Sequence, residues 1–173
     1  MECQGSTVMK AGKTGTYGDG GTAVPPEGRC NNTALRKATR RVSQLYDALL
    51  APSGLKVTQR AMMNQIVRSG APTVSELAAA LVLDRSALAH NLKPLERDGL
   101  VTITVDPNDK RSRLVKLTKL GEARLEASKE LWETAQRRFE SAFGARKANE
   151  LRQALAVIAS PEFESAFEKA QDR

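Results

Sequence analysis

The chain is 173 residues long, 40% hydrophobic but only 4% aromatic, and carries a formal net charge of +7. That length supports one sizeable core with extensions rather than two domains. With no apolar run near the roughly 18 residues of a membrane span and no charged-then-apolar leader, a cytoplasmic protein with no membrane partner is expected.

Residues 1–29 hold seven of the twelve glycines and the Pro25-Pro26 pair, and are expected to form a disordered tail. Cys3 and Cys30 make neither a CxxC pair nor a zinc ligand set, so no metal and no cofactor is expected. The excess charge is concentrated in residues 33–70, where Arg36, Lys37, Arg40, Arg41, Lys56, Arg60 and Arg68 face Asp47 alone. Such a cluster suits a polyanionic partner without requiring one.

From Thr33 to Leu50 the apolar residues Leu35, Ala38, Val42, Leu45 and Leu49 recur at helical spacing, and "APSG" ends the helix. A second helix is predicted over "TQRAMMNQIVRSG" with Thr58 as its N-cap and Gly70 near its end. "TVSELAAAL" predicts a short third helix. Asp84 caps a fourth, "RSALAHNLKPLERDG", interrupted by Pro94 and closed by Gly99. Then Val101, Ile103 and Val105 alternate with threonines, Pro107 and Asn108 supply turn chemistry, and "LVKLT" returns, which predicts a hairpin. A long helix from Leu120 to about Phe143, one around "NELRQALAVIAS" and a last one after Pro161 complete the chain.

The fold class is therefore mainly α with a small β-hairpin wing. Its centre is a winged helix-turn-helix, and N- and C-terminal helices are left over to form a homodimer region. Residues 30–50 are assigned to the first dimerisation helix, 51–118 to the DNA-binding lobe and 119–173 to further dimerisation helices. In this arrangement the second helix of the pair enters a major groove of double-stranded DNA while the hairpin follows the backbone or the minor groove. At the start of that helix, Arg85 and Ser86 can donate to phosphate or base edges. Ala87 can sit against a thymine methyl, and Ala89, His90 and Asn91 complete the face, while Leu88, Leu92 and Leu95 keep the core spacing. Each polar residue taken alone is equally well explained as solvated surface; the hairpin directly behind them shifts the balance. In "DPNDKRSR", Arg111 and Arg113 can clamp a phosphate or enter a narrow minor groove, and Asp109 is expected to accept hydrogen bonds that hold an arginine or the turn in shape.

Three stretches carry a resemblance: "LRKATRRVSQLYDALLAPSGLKVTQ", "TVSELAAALVLDRSALAHNLKPLERDGLV" and "DPNDKRSRLVKLTKLG". In order and spacing they resemble the MarR family of transcriptional regulators over about residues 30–160. The resemblance implies a homodimer that reads a pseudo-palindrome in duplex DNA, usually as a repressor, and is released by small aromatic or phenolic effectors or by thiol oxidation. It makes Asp109 the structural acid of the wing and Arg111 the wing arginine. It places the sensing cysteine of the peroxide-responsive members at Asn32, two residues from Cys30, which becomes a candidate redox sensor beside the reading of an unreactive cysteine. Candidate effector-pocket residues are Arg40, Tyr46, Met62, Met63 and Trp132, for which ordinary packing is the plain alternative.

An enzyme is not expected, because the chain has a single histidine, no glycine-rich phosphate loop and no Ser/His/Asp grouping. Two other readings stay open. One is a winged-helix protein working mainly through protein contacts, which would bind a protein partner independently of salt and show no duplex affinity. The other is an activator.

Overall fold

The structure, a computed structural model, describes residues 30–170. The tail expected at 1–29 lies outside the described residues. The chain divides after Arg36 into two units, and the core belongs to the second, Lys37–Arg173.

Among the described residues eight α-helices and two strands follow one another, with one turn of 3-10 helix at Ala51–Ser53: α1 (Asn31–Leu50), α2 (Val57–Ser69), α3 (Val74–Ala80), α4 (Arg85–Arg97), β1 (Val101–Val105), β2 (Arg113–Leu117), α5 (Lys119–Ala127), α6 (Lys129–Phe143), α7 (Ala145–Ile158) and α8 (Pro161–Lys169). The strands pair antiparallel with Val101 opposite Leu117 and Val105 opposite Arg113. This is the predicted mainly helical fold with a two-stranded wing.

Leu55, Met63, Ile66, Leu77, Leu88, Leu92, Leu95, Val101 and Val115 form one core between α2, α3, α4 and the hairpin. Val101 and Val115 of the hairpin, with Ile103 and Leu117 beside them, and Leu88, Leu92 and Leu95 of α4 face this core, so the opposite faces of these elements are free for other work. The return strand is also tied to the chain before α3. Val115 N–H donates to the Pro72 carbonyl at 2.9 Å, and Thr73 bridges Leu114. Thr73 then caps α3 by accepting from Glu76 N–H at 3.1 Å, while Glu76 accepts from Thr73 N–H at 2.8 Å, a reciprocal pair that holds the Glu76 carboxyl below its usual range.

Four of the boundaries that differ from the expectations have a local cause or consequence. First, α1 begins at Asn31, ahead of Thr33. Second, α2 begins at Val57 rather than after Thr58, because its first free N–H groups find acceptors elsewhere: Asp47 on α1 accepts from Val57 N–H at 2.7 Å and Gln59 from Lys56 N–H at 2.9 Å. Third, the long helix expected over 120–143 is broken at Ser128, whose buried hydroxyl donates back to the Leu125 carbonyl at 2.6 Å. A serine bonding its own preceding turn competes with the helical ladder and bends it. Fourth, α7 starts at Ala145, directly after Gly144 at φ +94°, ahead of the expected "NELRQALAVIAS".

In the turn between α3 and α4, Val82 holds φ +52° with a largely exposed side chain. A β-branched residue is strained in this left-handed region. Val82→Gly is therefore expected to raise stability by up to about 1 kcal/mol, the strain relieved less the glycine entropy cost, seen as a higher urea midpoint at unchanged slope.

Candidate nucleic-acid interface

Asp84, extended at φ −71° and ψ 160°, starts α4 by accepting from Ala87 N–H at 2.7 Å. With that cap set, Leu88, Leu92 and Leu95 point into the core. Arg85, Ser86, Ala89, His90 and Asn91 are exposed, and Ala87 is half-buried. Lys93, one turn beyond Ala89, is exposed with them. It is absent from the residues expected on this face, although its i+4 spacing from Ala89 is enough to place it there. Pro94 lies within α4 without ending it, and Asp98 N–H still donates to the Pro94 carbonyl.

The wing tip is held by two aspartates. Asp106 accepts from Asn108 N–H at 2.8 Å, while Asp109 accepts from Arg111 N–H at 3.0 Å and from the Ser112 hydroxyl at 2.7 Å. The Ser112 hydroxyl and then the Arg111 N–H stabilise the carboxylate, which lowers the Asp109 pKa from its usual value. Of the two roles open to Asp109, the geometry is that of holding the turn; it grips the Arg111 backbone and not a guanidinium. Arg113 folds its guanidinium toward the Lys110 carbonyl at 3.3 Å, still exposed. Among the described residues no carboxylate pairs with Arg85, Arg111 or Arg113.

Behind the wing, Thr118 joins three elements. Its N–H donates to the Leu100 carbonyl, its hydroxyl donates to the Gly99 carbonyl at 2.6 Å, and it caps α5 by accepting from Gly121 N–H at 3.0 Å. This explains the threonine and glycine that close the wing stretch.

The five effector-pocket candidates do not converge. Met62 and Met63 are buried in the lobe core. Arg40 is exposed. Tyr46 is buried and donates to Gln136 Oε1 at 2.6 Å; burial, with Glu140 nearby, pushes its phenol pKa up. Trp132 lies in an open groove of about 330 Å³ with Glu133, Gln136, Arg137, Glu140 and Arg152. The residue that meets it from α2 is Arg60, which is buried with its guanidinium 4.5 Å from the Trp132 ring centroid. Sequence reasoning counts Arg60 with the basic cluster; the signal that could have found it is its spacing of three from Met63 and six from Ile66, the buried face of α2.

Cys30 is exposed immediately before α1. The Thr33 hydroxyl donates to its sulfur at 3.2 Å and Thr33 N–H at 3.5 Å, and these donors hold the thiol below its ordinary pKa. Removing the hydroxyl in Thr33→Val is expected to move that pKa up, so alkylation of Cys30 near neutral pH slows. A pH–rate profile in a Cys3→Ser background measures it, and an unchanged profile would mean the hydroxyl contributes nothing.

The family model described as MarR family matches residues 53–112, which covers α2 through the wing tip. Across a longer span the chain is similar to the Mycobacterium tuberculosis transcriptional regulator MosR solved in complex with DNA. The two are 34% identical, the match covers 74% of this chain and 97% of that one, and the TM-score is 0.63. The chain belongs to the MarR family. A second similar structure, the transcriptional repressor CouR of Rhodococcus jostii bound to a 23-mer DNA duplex, is 29% identical over 75% of this chain and 92% of that one, with a TM-score of 0.68. Among curated proteins, the transcriptional activatory protein BadR of Rhodopseudomonas palustris is 32% identical over 96 residues, 54% of this chain and 50% of that protein. The chain thus spans about half the length of the curated relatives it matches. Members of the MarR family are transcriptional regulators, not enzymes.

Proposed function

We propose that this chain is a DNA-binding transcriptional regulator that grips a pseudo-palindromic operator as a homodimer, and that it acts as a repressor. The observation that carries the reading is the juxtaposition of an exposed polar α4 face with a wing whose arginines lack a carboxylate partner among the described residues. Cations left unneutralised on a rigid frame are what phosphates attract. Arg85, Ser86, His90 and Asn91 read or position the major groove with Ala87 and Ala89 beside the bases, Arg111 and Arg113 take the backbone or minor groove, and Asp109 keeps the wing in shape. MosR and CouR, both described with DNA, support the assignment.

The homodimer is supported by apolar surface that a single chain leaves open. Leu45, Phe143, Leu155, Ile158, Phe163 and Phe167 are all exposed, on α1 and α6 to α8. Helices this polar bury little alone, and a second copy covers such a surface economically. Residues 30–50 and 119–173 would then be the dimer region and 51–118 the reading lobe. The site of action would be chromosomal DNA in the cytoplasm. A small aromatic or phenolic effector, taken up near Tyr46 and Trp132, or oxidation of Cys30 would release the DNA. The second reading, an activator, is favoured by the likeness to BadR, and the choice depends on where the operator lies.

The test is a gel-shift titration of the full chain against the DNA flanking its own gene, with a scrambled duplex as control, then repeated with aromatic acids and with a hydroperoxide. Tight binding to the flanking DNA alone is expected. Equal weak binding to both duplexes would remove the operator from that position, and no binding would favour a protein-contact role.

A further inference from the structure

The unusual group outside the candidate interface is Arg60. Its side chain is only 9% exposed in a protein whose other described arginines are at the surface or half-buried. Buried cations are ordinarily matched by a carboxylate. Arg60 has none within ion-pair distance among the described residues. Instead Nε donates to the Ser128 hydroxyl at 3.0 Å and the guanidinium lies on the Trp132 ring. Burial draws its pKa down, opposed by Glu133, so the charge is retained at a cost.

The position of these partners gives the arrangement a purpose. Arg60 is on α2, inside the reading lobe, and Ser128 is the break between α5 and α6. Trp132 is one turn further along α6, which the lobe must be aimed against. A hydrogen bond and a cation–π contact are both directional, unlike the hydrophobic contacts around them. Ser128 passes the constraint on by donating to the Leu125 carbonyl, and Arg124 adds a tie from α5 to the Ser53 carbonyl at 3.1 Å.

We propose that Arg60, Ser128 and the Trp132 ring form an orienting joint that fixes the angle of the DNA-reading lobe to α6 and thereby selects the half-site spacing the protein accepts. Arg60 is a positioning residue: it touches no DNA and acts through α6. The spacing consequence rests on the DNA-binding reading above, whereas the joint itself does not. Methionine removes the desolvation cost of a buried cation while keeping an unbranched apolar stem, and the Ser128 hydroxyl keeps its bond to Leu125. Arg60→Met is therefore expected to loosen the angle without unfolding the chain.

Two measurements separate the layers. In full-length protein with Cys3 and Cys30 changed to serine, spin labels at Ser75→Cys on α3 and Arg138→Cys on α6 report the intrachain lobe-to-α6 distance when diluted into unlabelled chains. A narrow distribution is expected with Arg60 and a broad one in Arg60→Met, with Arg60→Lys between them because it keeps a cation but loses the fork. On operators whose half-sites differ by one base pair in separation, the ratio of the two Kd values should fall in Arg60→Met by a factor on the order of ten. An unchanged distance distribution would overturn the joint, and a broadened one with an equal affinity loss at both spacings would overturn its selection of half-site spacing. Broadening in a protein that binds no duplex at all would uphold the joint and refute the DNA-binding reading.

Discussion

Gly121→Ala is expected to cost about 3 kcal/mol or more, enough to leave much of the protein unfolded at moderate urea. The cause is collision with backbone. A Cβ at residue 121 would be driven into the Leu100 carbonyl oxygen, with the Leu100 carbonyl carbon at 3.0 Å and its Cα at 3.3 Å. That carbonyl cannot swing aside, because it accepts from Thr118 N–H, and the Thr118 hydroxyl is fixed on the Gly99 carbonyl. Moving α5 away would break the cap on Gly121 N–H and open the wing's base. Gly99→Ala provides the contrast. At φ +68° with open space around the added carbon it meets only backbone strain, about 1 kcal/mol. Urea midpoints of the two variants measure the difference, and a Gly121→Ala protein no less stable than Gly99→Ala would refute the close-approach account.

Removing the wing arginine is the second large effect. Arg111→Ala is expected to weaken binding to operator and scrambled duplexes alike, by about 1 to 3 kcal/mol, and to make the plot of log K against log salt shallower by about 0.9, the share of a single neutralised phosphate. The Asp109 bonds to the Arg111 N–H and the Ser112 hydroxyl remain in that variant, so the turn should keep its shape. Arg85→Ala should differ in kind. If its guanidinium meets a base edge, the weakening falls unevenly across operator variants, and an even weakening would make it a phosphate contact. Binding unchanged in Arg111→Ala would end the assignment of the wing.

Much of the fold is legible in the sequence because local rules and burial agree. Leu88, Leu92 and Leu95 at helical spacing behind Asp84, and Val101, Ile103 and Val105 alternating into a Pro-Asn turn, describe the same elements in sequence and in space. The family resemblance extends from those stretches. What escapes the sequence is set by tertiary partners. The start of α2 depends on Asp47, ten residues upstream on another helix, so no local cap signal could mark it. The break at Ser128 involves a buried hydroxyl that also accepts from Arg60 of α2, 68 residues away in the chain. Met62 and Met63 show a different limit: an adaptable side chain suits a ligand cavity and a core equally, and sequence does not say that both lie in the lobe core. Arg60 belongs by sequence to the basic cluster, yet it is buried while Arg40 and Arg41 are exposed, because its spacing to Met63 and Ile66 puts it on the inner face of α2 and composition alone does not register that position.

The most direct test of the central claim, that α4 and the wing of two chains together read one duplex, is a hydroxyl-radical footprint of the protein on the DNA flanking its own gene. Two protected half-sites are expected on one face of the duplex, centred about one helical turn (roughly 34 Å) apart, with further protection where the wings reach the adjacent minor grooves. A single protected half-site, or none at concentrations that saturate the gel shift, would contradict that claim.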